Sequence, residues 1–204
     1  MPGKRWSAII FAIVAVLACD RTARRDPALR DALLRRVSRD QSSMQELAAH
    51  IADNTYHQRL AATLRSNAVW LDSVVTDRGW PGVIMADSDG TAAAFLIAQH
   101  ADSQLAIQRK FFAALRQAVA RKDASPMNLA FLEDRIQHAA GLPQVYGTQA
   151  AYDSAGTAIQ PPVTAPESLD VRRKAVGLPP MAIYLEKMRA LNAQLRAMKH
   201  APSK

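Results

Sequence analysis

Two short clusters carry the residue types from which a polar site is built. Gln99, His100 and Asp102 form one, and Asp134, Arg135 and His138 form the other. An imidazole such as His100, oriented by the carboxylate of Asp102 or Asp134, is equipped for general-base work. Arg135 would hold an anionic group. A third stretch, Gln144 to Gln149 (QVYGTQ), supplies Tyr146, Thr148 and Gln149 to position a small polar molecule. The same residues also suit a buried network that satisfies helix ends and locks a loop onto a bundle. No serine stands in a nucleophile elbow. Asp134 and His138 are four apart and could meet an ion with His100, but the ligands are too sparse for a dedicated metal site. No metal is assigned, and with only 8 glycines and no glycine-rich phosphate cradle, no cofactor either.

The elements that must position these groups read as helices. Pro27 can open the first, whose stripe Leu29, Leu33, Val37, Met44, Leu47, Ile51 weakens near Asp40 and is expected to break at Asn54 and Thr55. A second helix holds Leu60, Leu64, Leu71, Val74 and Val75 and stops at Gly79. Met85–Gly90 reads as a turn, with Asp89 or Thr91 capping an alanine-rich helix to about His100. Asp102 or Ser103 should cap the next helix, which closes near Arg121 and Lys122. Ser125-Pro126 opens another, ending at Gly141.

Beyond it, Val145–Ala151 and Thr157–Gln160 flank Asp153-Ser154-Ala155-Gly156 as a small hairpin. Pro161, Pro162 and Pro166 stiffen a connector to a short helix at Leu169–Ala175. The last helix carries Met181, Tyr184, Met188, Leu191, Leu195 and Met198 in a seam expected to dock on its own bundle. Trp70 and Trp80 should fill core gaps, and His50, His57 and His200 should be solvated. The fold class is all-α, an irregular helical bundle with one small β-hairpin insertion.

With 49% hydrophobic and 22% charged residues in 204, the chain has the composition of a globular protein. Lys4 and Arg5 precede an apolar run from Ala8 to Ala18 that is too short to span a bilayer, which needs about 20 residues. A basic start and a short apolar run form a secretory signal. Val16-Leu17-Ala18-Cys19 resembles a bacterial lipobox, and Cys19 is the only cysteine. The expected layout is a signal peptide over 1–18, a lipidated Cys19 with a basic tether and helix start over 19–39, a helical domain over 40–198, and a tail over 199–204. Asp20 resembles an inner-membrane retention signal, so the protein is expected to face the periplasm or extracytoplasmic space.

The net charge of +8 is uneven. Nine basic residues stand against three acidic ones in 1–39, nine against twelve in 40–160, and eight against three in 161–204. Arg21, Arg24, Arg25, Arg30, Arg35 and Arg36 would favour anionic head groups beside the anchor. The export signal and the slightly acidic body argue against nucleic acid as a partner.

Gly79-Trp80-Pro81, Gln99-His100-Ala101-Asp102, Leu132 to Arg135 (LEDR), Gln144 to Gln149 (QVYGTQ), and Arg172-Arg173 with Val176 to Pro180 (VGLPP) occur in that order. Over about residues 64–187 the chain resembles a bacterial family known as domain of unknown function 6624. The family implies no activity, substrate or cofactor. The resemblance does imply that Gln99, His100, Asp102, Asp134, Arg135, Tyr146, Thr148 and Gln149 belong to one unit. The expected function is a binding or interaction module for a small polar ligand or an envelope partner. A hydrolase-like enzyme using His100 as base and Arg135 as anion holder is one alternative, and a purely structural envelope lipoprotein is the other.

Overall fold

The computed structural model describes residues 24–199, with side chains to 194. The signal segment, Cys19, His200 and the tail lie outside the described residues. Helix α1 (Pro27–Ala49) starts behind Asp26, whose carboxylate accepts the Leu29 N–H at 2.9 Å. The expected break falls just earlier, at 50–53, and Asn54 and Thr55 begin α2 (Asn54–Arg78). Asp53 caps it by accepting the Thr55 N–H at 2.8 Å, so these small polar residues serve a helix start. Gly79 ends α2 with φ 78°.

Helix α3 (Val83–Gln99) is the central element. Ala86, Ala93, Ala94, Ile97 and Ala98 are all buried, and α3 meets α1, α2, α4 and α5. A helix that is apolar nearly all round belongs in the interior. The expected turn over Met85–Gly90 contracts to a single residue, Asp87, at φ 57° and ψ 178°. Neither Asp89 nor Thr91 acts as the cap. Arg30 engages the Asp89 carboxylate, and the Thr91 hydroxyl accepts the Trp80 indole N–H at 3.3 Å. Gly90 is required by close approach, since a Cβ there would stand 2.9 Å from the Ala86 Cβ and 3.2 Å from the Arg30 Cγ.

Helix α4 (Leu105–Ala120) follows Gln104, not Asp102 or Ser103, and no side chain caps it. Helix α5 (Pro126–Ala139) starts as expected, with the Ser125 hydroxyl accepting the Asn128 N–H. The apolar faces of α1 to α5 close one core around Leu33, Leu71, Ile97, Phe111, Leu115 and Leu132. Trp80 is buried within it, whereas Trp70 is only partly covered and lies 4.3 Å under the Arg36 guanidinium. His50 and His57 are exposed.

The hairpin is shorter than expected. Strands β1 (Ala151–Tyr152) and β2 (Ala158–Ile159) pair antiparallel, with Ala151 opposite Ile159. Helix α6 (Leu169–Ala175) follows a 3-10 turn at Pro166–Ser168. Helix α7 (Met181–Lys199) packs on β2 and α6, not on the five-helix body. Of its seam, Met181 is buried and Tyr184 and Met188 are half-buried, but Leu191 faces solvent. Leu195 and Met198 lie beyond the described side chains. The architecture is all-α with one small antiparallel hairpin.

One boundary shifts. The folded body begins at Pro27 rather than residue 40, because Leu29 and Leu33 of α1 are core residues. The basic arm is also partly occupied. Arg25 pairs with Asp87 at 2.8 Å, Arg30 with Asp89 and Asp31, and Arg78 with Asp26 at 2.7 Å. Arg36 donates to Asn67 at 3.2 Å. Among the described residues no helix is long and apolar enough to cross a membrane.

Candidate functional site

Asp134 is the hub of the QVYGTQ loop. Its position on α5, one turn after buried Ala130, turns its carboxylate inward, where it is completely buried. One oxygen accepts the N–H groups of Val145 (2.7 Å) and Tyr146 (3.0 Å). The other accepts the N–H (2.8 Å) and hydroxyl (2.9 Å) of Thr148. Four donors satisfy the carboxylate completely, so Asp134 and Thr148 hold the loop and present nothing to a ligand. Gln144 clips the loop shut, donating to the Gln149 carbonyl and accepting its N–H, each at 2.9 Å. Gly147 has φ 67°, and the Met181 methyl fills the space a Cβ would need.

The loop's carbonyls are held from the other side. Arg172 donates to the Val145 carbonyl at 2.9 Å and Arg173 to that of Tyr146 at 2.6 Å. Arg173 is buried, also donates to the Pro179 carbonyl, and lies 5.2 Å from the Tyr184 ring. Burial pushes its guanidinium below the usual arginine range. The Tyr184 hydroxyl reaches the Thr148 carbonyl at 3.1 Å. Burial raises the Tyr146 hydroxyl, and the charges of Glu133 and Asp134 add to that. Tyr146 enters the network through its backbone. Arg172 and Arg173 are thus scaffold.

Arg135, one residue after the hub, leaves α5 in another direction. Its guanidinium grips Asp102 through two bonds of 2.7 and 2.5 Å and donates to Gln149 at 3.3 Å. Gln108, buried on α4, donates to the same Asp102 at 3.2 Å and to the carbonyls of Ala98 and Gln99. Burial acts to raise the Asp102 carboxyl, but Arg135 and Gln108 outweigh it and hold the group below the usual carboxylate range. Neighbouring Glu133 goes the other way, raised by burial and by the charge of Asp134.

His100 is oriented by neither Asp102 nor Asp134. Its Nδ1 lies 2.7 Å from Asp40 of α1, a carboxylate with no solvent exposure. Nothing among the described residues engages the other ring nitrogen, Nε2, and the imidazole stays 16% exposed. The second oxygen of Asp40, the amide nitrogen of Gln99 and the amide oxygen of Gln108 are buried without a partner. Three orphan polar atoms thus surround the α3–α4 turn. Sequence reasoning missed Asp40, yet the signal was there: a carboxylate on the line Leu33, Val37, Met44, where burial is expected.

An open hollow of about 350 Å³ is bounded by Asp102, Arg135, His138, Ala139, Gln149 and Ala150. An adjoining hollow of about 310 Å³ shares His138, Gln149 and Ala150 and is walled by Leu142, Pro143, Pro161 and Pro162. The structure therefore brings Asp102, Arg135 and Gln149 together at one cleft and adds His138. It places His100 beside this group on its own carboxylate. Among the described residues, no group of three or more His, Cys, Asp or Glu could hold a metal ion.

The chain belongs to the family of unknown function DUF6624, whose model matches residues 27–195. The match begins at the first residue of α1, so Asp40 lies inside it. No curated protein and no solved structure matches the chain.

Proposed function

We propose that this member of the family is a membrane-tethered, extracytoplasmic module that holds a small polar ligand, or the side chains of an envelope partner, in the Asp102–Arg135–His138–Gln149 cleft. The observation that carries the reading is the state of Arg135. Its fork is fixed by Asp102 and Gln149 at the rim of an open hollow, which leaves two of its five N–H donors for a guest. Asp102 neutralises the guanidinium, so the polar end of the guest is uncharged, carrying hydroxyl or carbonyl groups rather than the anion expected for a free arginine. The proline-walled chamber suits an apolar portion beside it.

Titrating disaccharides and N-acetyl dipeptide amides into isotope-labelled protein tests the reading by NMR. Resonances of Arg135, His138 and Gln149 should move, and the shifts should vanish in His138→Ala, whose exposed side chain is not part of the scaffold. Movement scattered over the surface, or none with either class, overturns it. The tether has its own test: Cys19→Ser should release the protein from the membrane fraction.

The Asp40–His100 pair favours hydrolysis as a second reading. A buried carboxylate on Nδ1 leaves Nε2 as the nitrogen able to take a proton from water. Ester cleavage that persists in metal-free protein and is lost in Asp40→Asn would support it.

A further inference from the structure

We infer that the end of the bundle formed by the start of α1, the start of α3 and the close of α4 is a lipid-contacting face that seats the domain on the membrane. The inference rests on the tethered reading above. Val83 and Ile84, in the first turn of α3, are 45% and 58% exposed although Trp80, Pro81, Met85 and Ala86 around them are buried. They are held out rigidly. Val83 donates its N–H to the Asp123 carbonyl at 2.9 Å, and Ile84 donates to the Asp123 carboxylate at 2.8 Å. Two fixed apolar side chains facing water are available to enter a membrane interface.

The charges around them have the right sign. Arg24, Arg121 and Lys122 are exposed and have no carboxylate partner among the described residues. Three nearby acids are ion-paired, Asp26 with Arg78, Asp87 with Arg25 and Asp89 with Arg30, whereas buried Asp123 accepts the Ile84 N–H. Three exposed cations thus stand against the one nearby buried carboxylate without a cationic partner among the described residues, Asp123, and exposed basic residues beside a bilayer favour an anionic leaflet.

Chain path supplies the occupant. Asp26 donates its N–H to the Met85 carbonyl at 2.8 Å, so the described chain begins at Arg24 beside this patch. Cys19 lies five residues earlier, a reach of at most about 18 Å when fully extended. A lipid on Cys19 would bring this end, and no other, to the bilayer. Beyond the break at Asp87, α3 runs from Ser88 to Gln99, roughly 16 Å at 1.5 Å per residue, which would carry the Arg135 cleft away from the surface and leave it open to the extracytoplasmic side.

The experiment uses the full chain expressed in bacteria and purified from membranes, with an environment-sensitive thiol dye at Ile84→Cys or at Ile51→Cys. Ile51 is exposed in the turn at the far end of α1. In phosphatidylcholine–phosphatidylglycerol vesicles the dye at position 84 should shift to the blue, brighten several-fold and be quenched by brominated lipid, while the dye at 51 should not change. Arg24→Glu combined with Arg121→Glu should reverse the gain. A dye at 84 that stays in water overturns the proposal, as does shielding at 84 that depends on protein concentration without lipid, which marks a second copy as the occupant. Maleimide labelling of the unsubstituted chain separates the two readings. A blocked Cys19 with an unshielded position 84 defeats only the docking face, whereas a reactive Cys19 defeats the tether and the docking with it.

Discussion

Asp40 and His100 stand sixty residues apart in the chain and 2.7 Å apart in space, joining the middle of α1 to the end of α3. Removing the imidazole would leave a carboxylate buried with neither oxygen paired. His100→Ala should therefore be costly, by about 3–5 kcal/mol. Adding Asp40→Asn in that background should recover part of the loss, because the stranded charge is gone. Denaturant midpoints of the two single variants and the double variant form the test, and simple additivity would refute the contact. Any activity lost in His100→Ala has to be compared at matched stability for the same reason.

Asp134 makes a sharper prediction about local order. Asn in its place presents an NH₂ group where backbone N–H donors converge, so at least one buried donor loses its acceptor. The expected cost is about 2–4 kcal/mol, with hydrogen-exchange protection falling first at Val145, Tyr146 and Thr148. Uniform loss of protection across α1 to α5, with the loop unaffected, would contradict the assignment of Asp134 as the loop's anchor.

Three of the helices were legible in the chain because they carry their own start or stop chemistry: Asp26 before Pro27, Gly79 after Arg78, Ser125 before Pro126. What escaped reading depended on distant partners. Asp102 resembles a helix cap until Arg135, thirty-three residues on, takes both its oxygens. Asp87 adopts a left-handed φ that its own neighbourhood does not demand, and Arg25 pairs with its carboxylate from outside α3. The third polar stretch was visible as a cluster, but its division into an anchor at Thr148 and a rim at Gln149 was not. That division follows from which way two consecutive α5 residues, Asp134 and Arg135, point.

Asp102 also sets a pH dependence. Its folded-state carboxyl is held below the usual range, so the unfolded chain takes up its proton first on acidification. The latch to Arg135 contributes in full above the ordinary carboxylate pKa of about 4 and fades as pH falls through the lower folded value. The side chain is half exposed, so the effect is modest. Asp102→Asn should lower the melting temperature at pH 7 by a few degrees and have little effect near pH 2. An equal loss at both pH values would show that the pair contributes no charge-dependent stability.

Glu133 should behave in the opposite sense. Burial, and then the charge of Asp134, raise its carboxyl above the ordinary value, with Arg116 opposing only weakly. The folded state therefore holds this proton more tightly than the unfolded chain. Its stabilising contribution is complete below the unfolded pKa of about 4.3 and is lost as pH climbs through the raised folded value. At neutral pH the ionised Glu133 is a burden, repelled by a hub carboxylate that four donors keep in place. Glu133→Gln removes that repulsion while keeping the side-chain shape. It should raise the melting temperature at pH 7 to 8, by about 2–4 °C for each kcal/mol recovered, and the advantage should shrink to nothing near pH 4. Combining it with Asp134→Asn should remove the part of the gain that comes from the repulsion and leave the larger part that comes from burial. A gain that survives unchanged in the double variant would place the origin of the effect elsewhere than in the charge of Asp134.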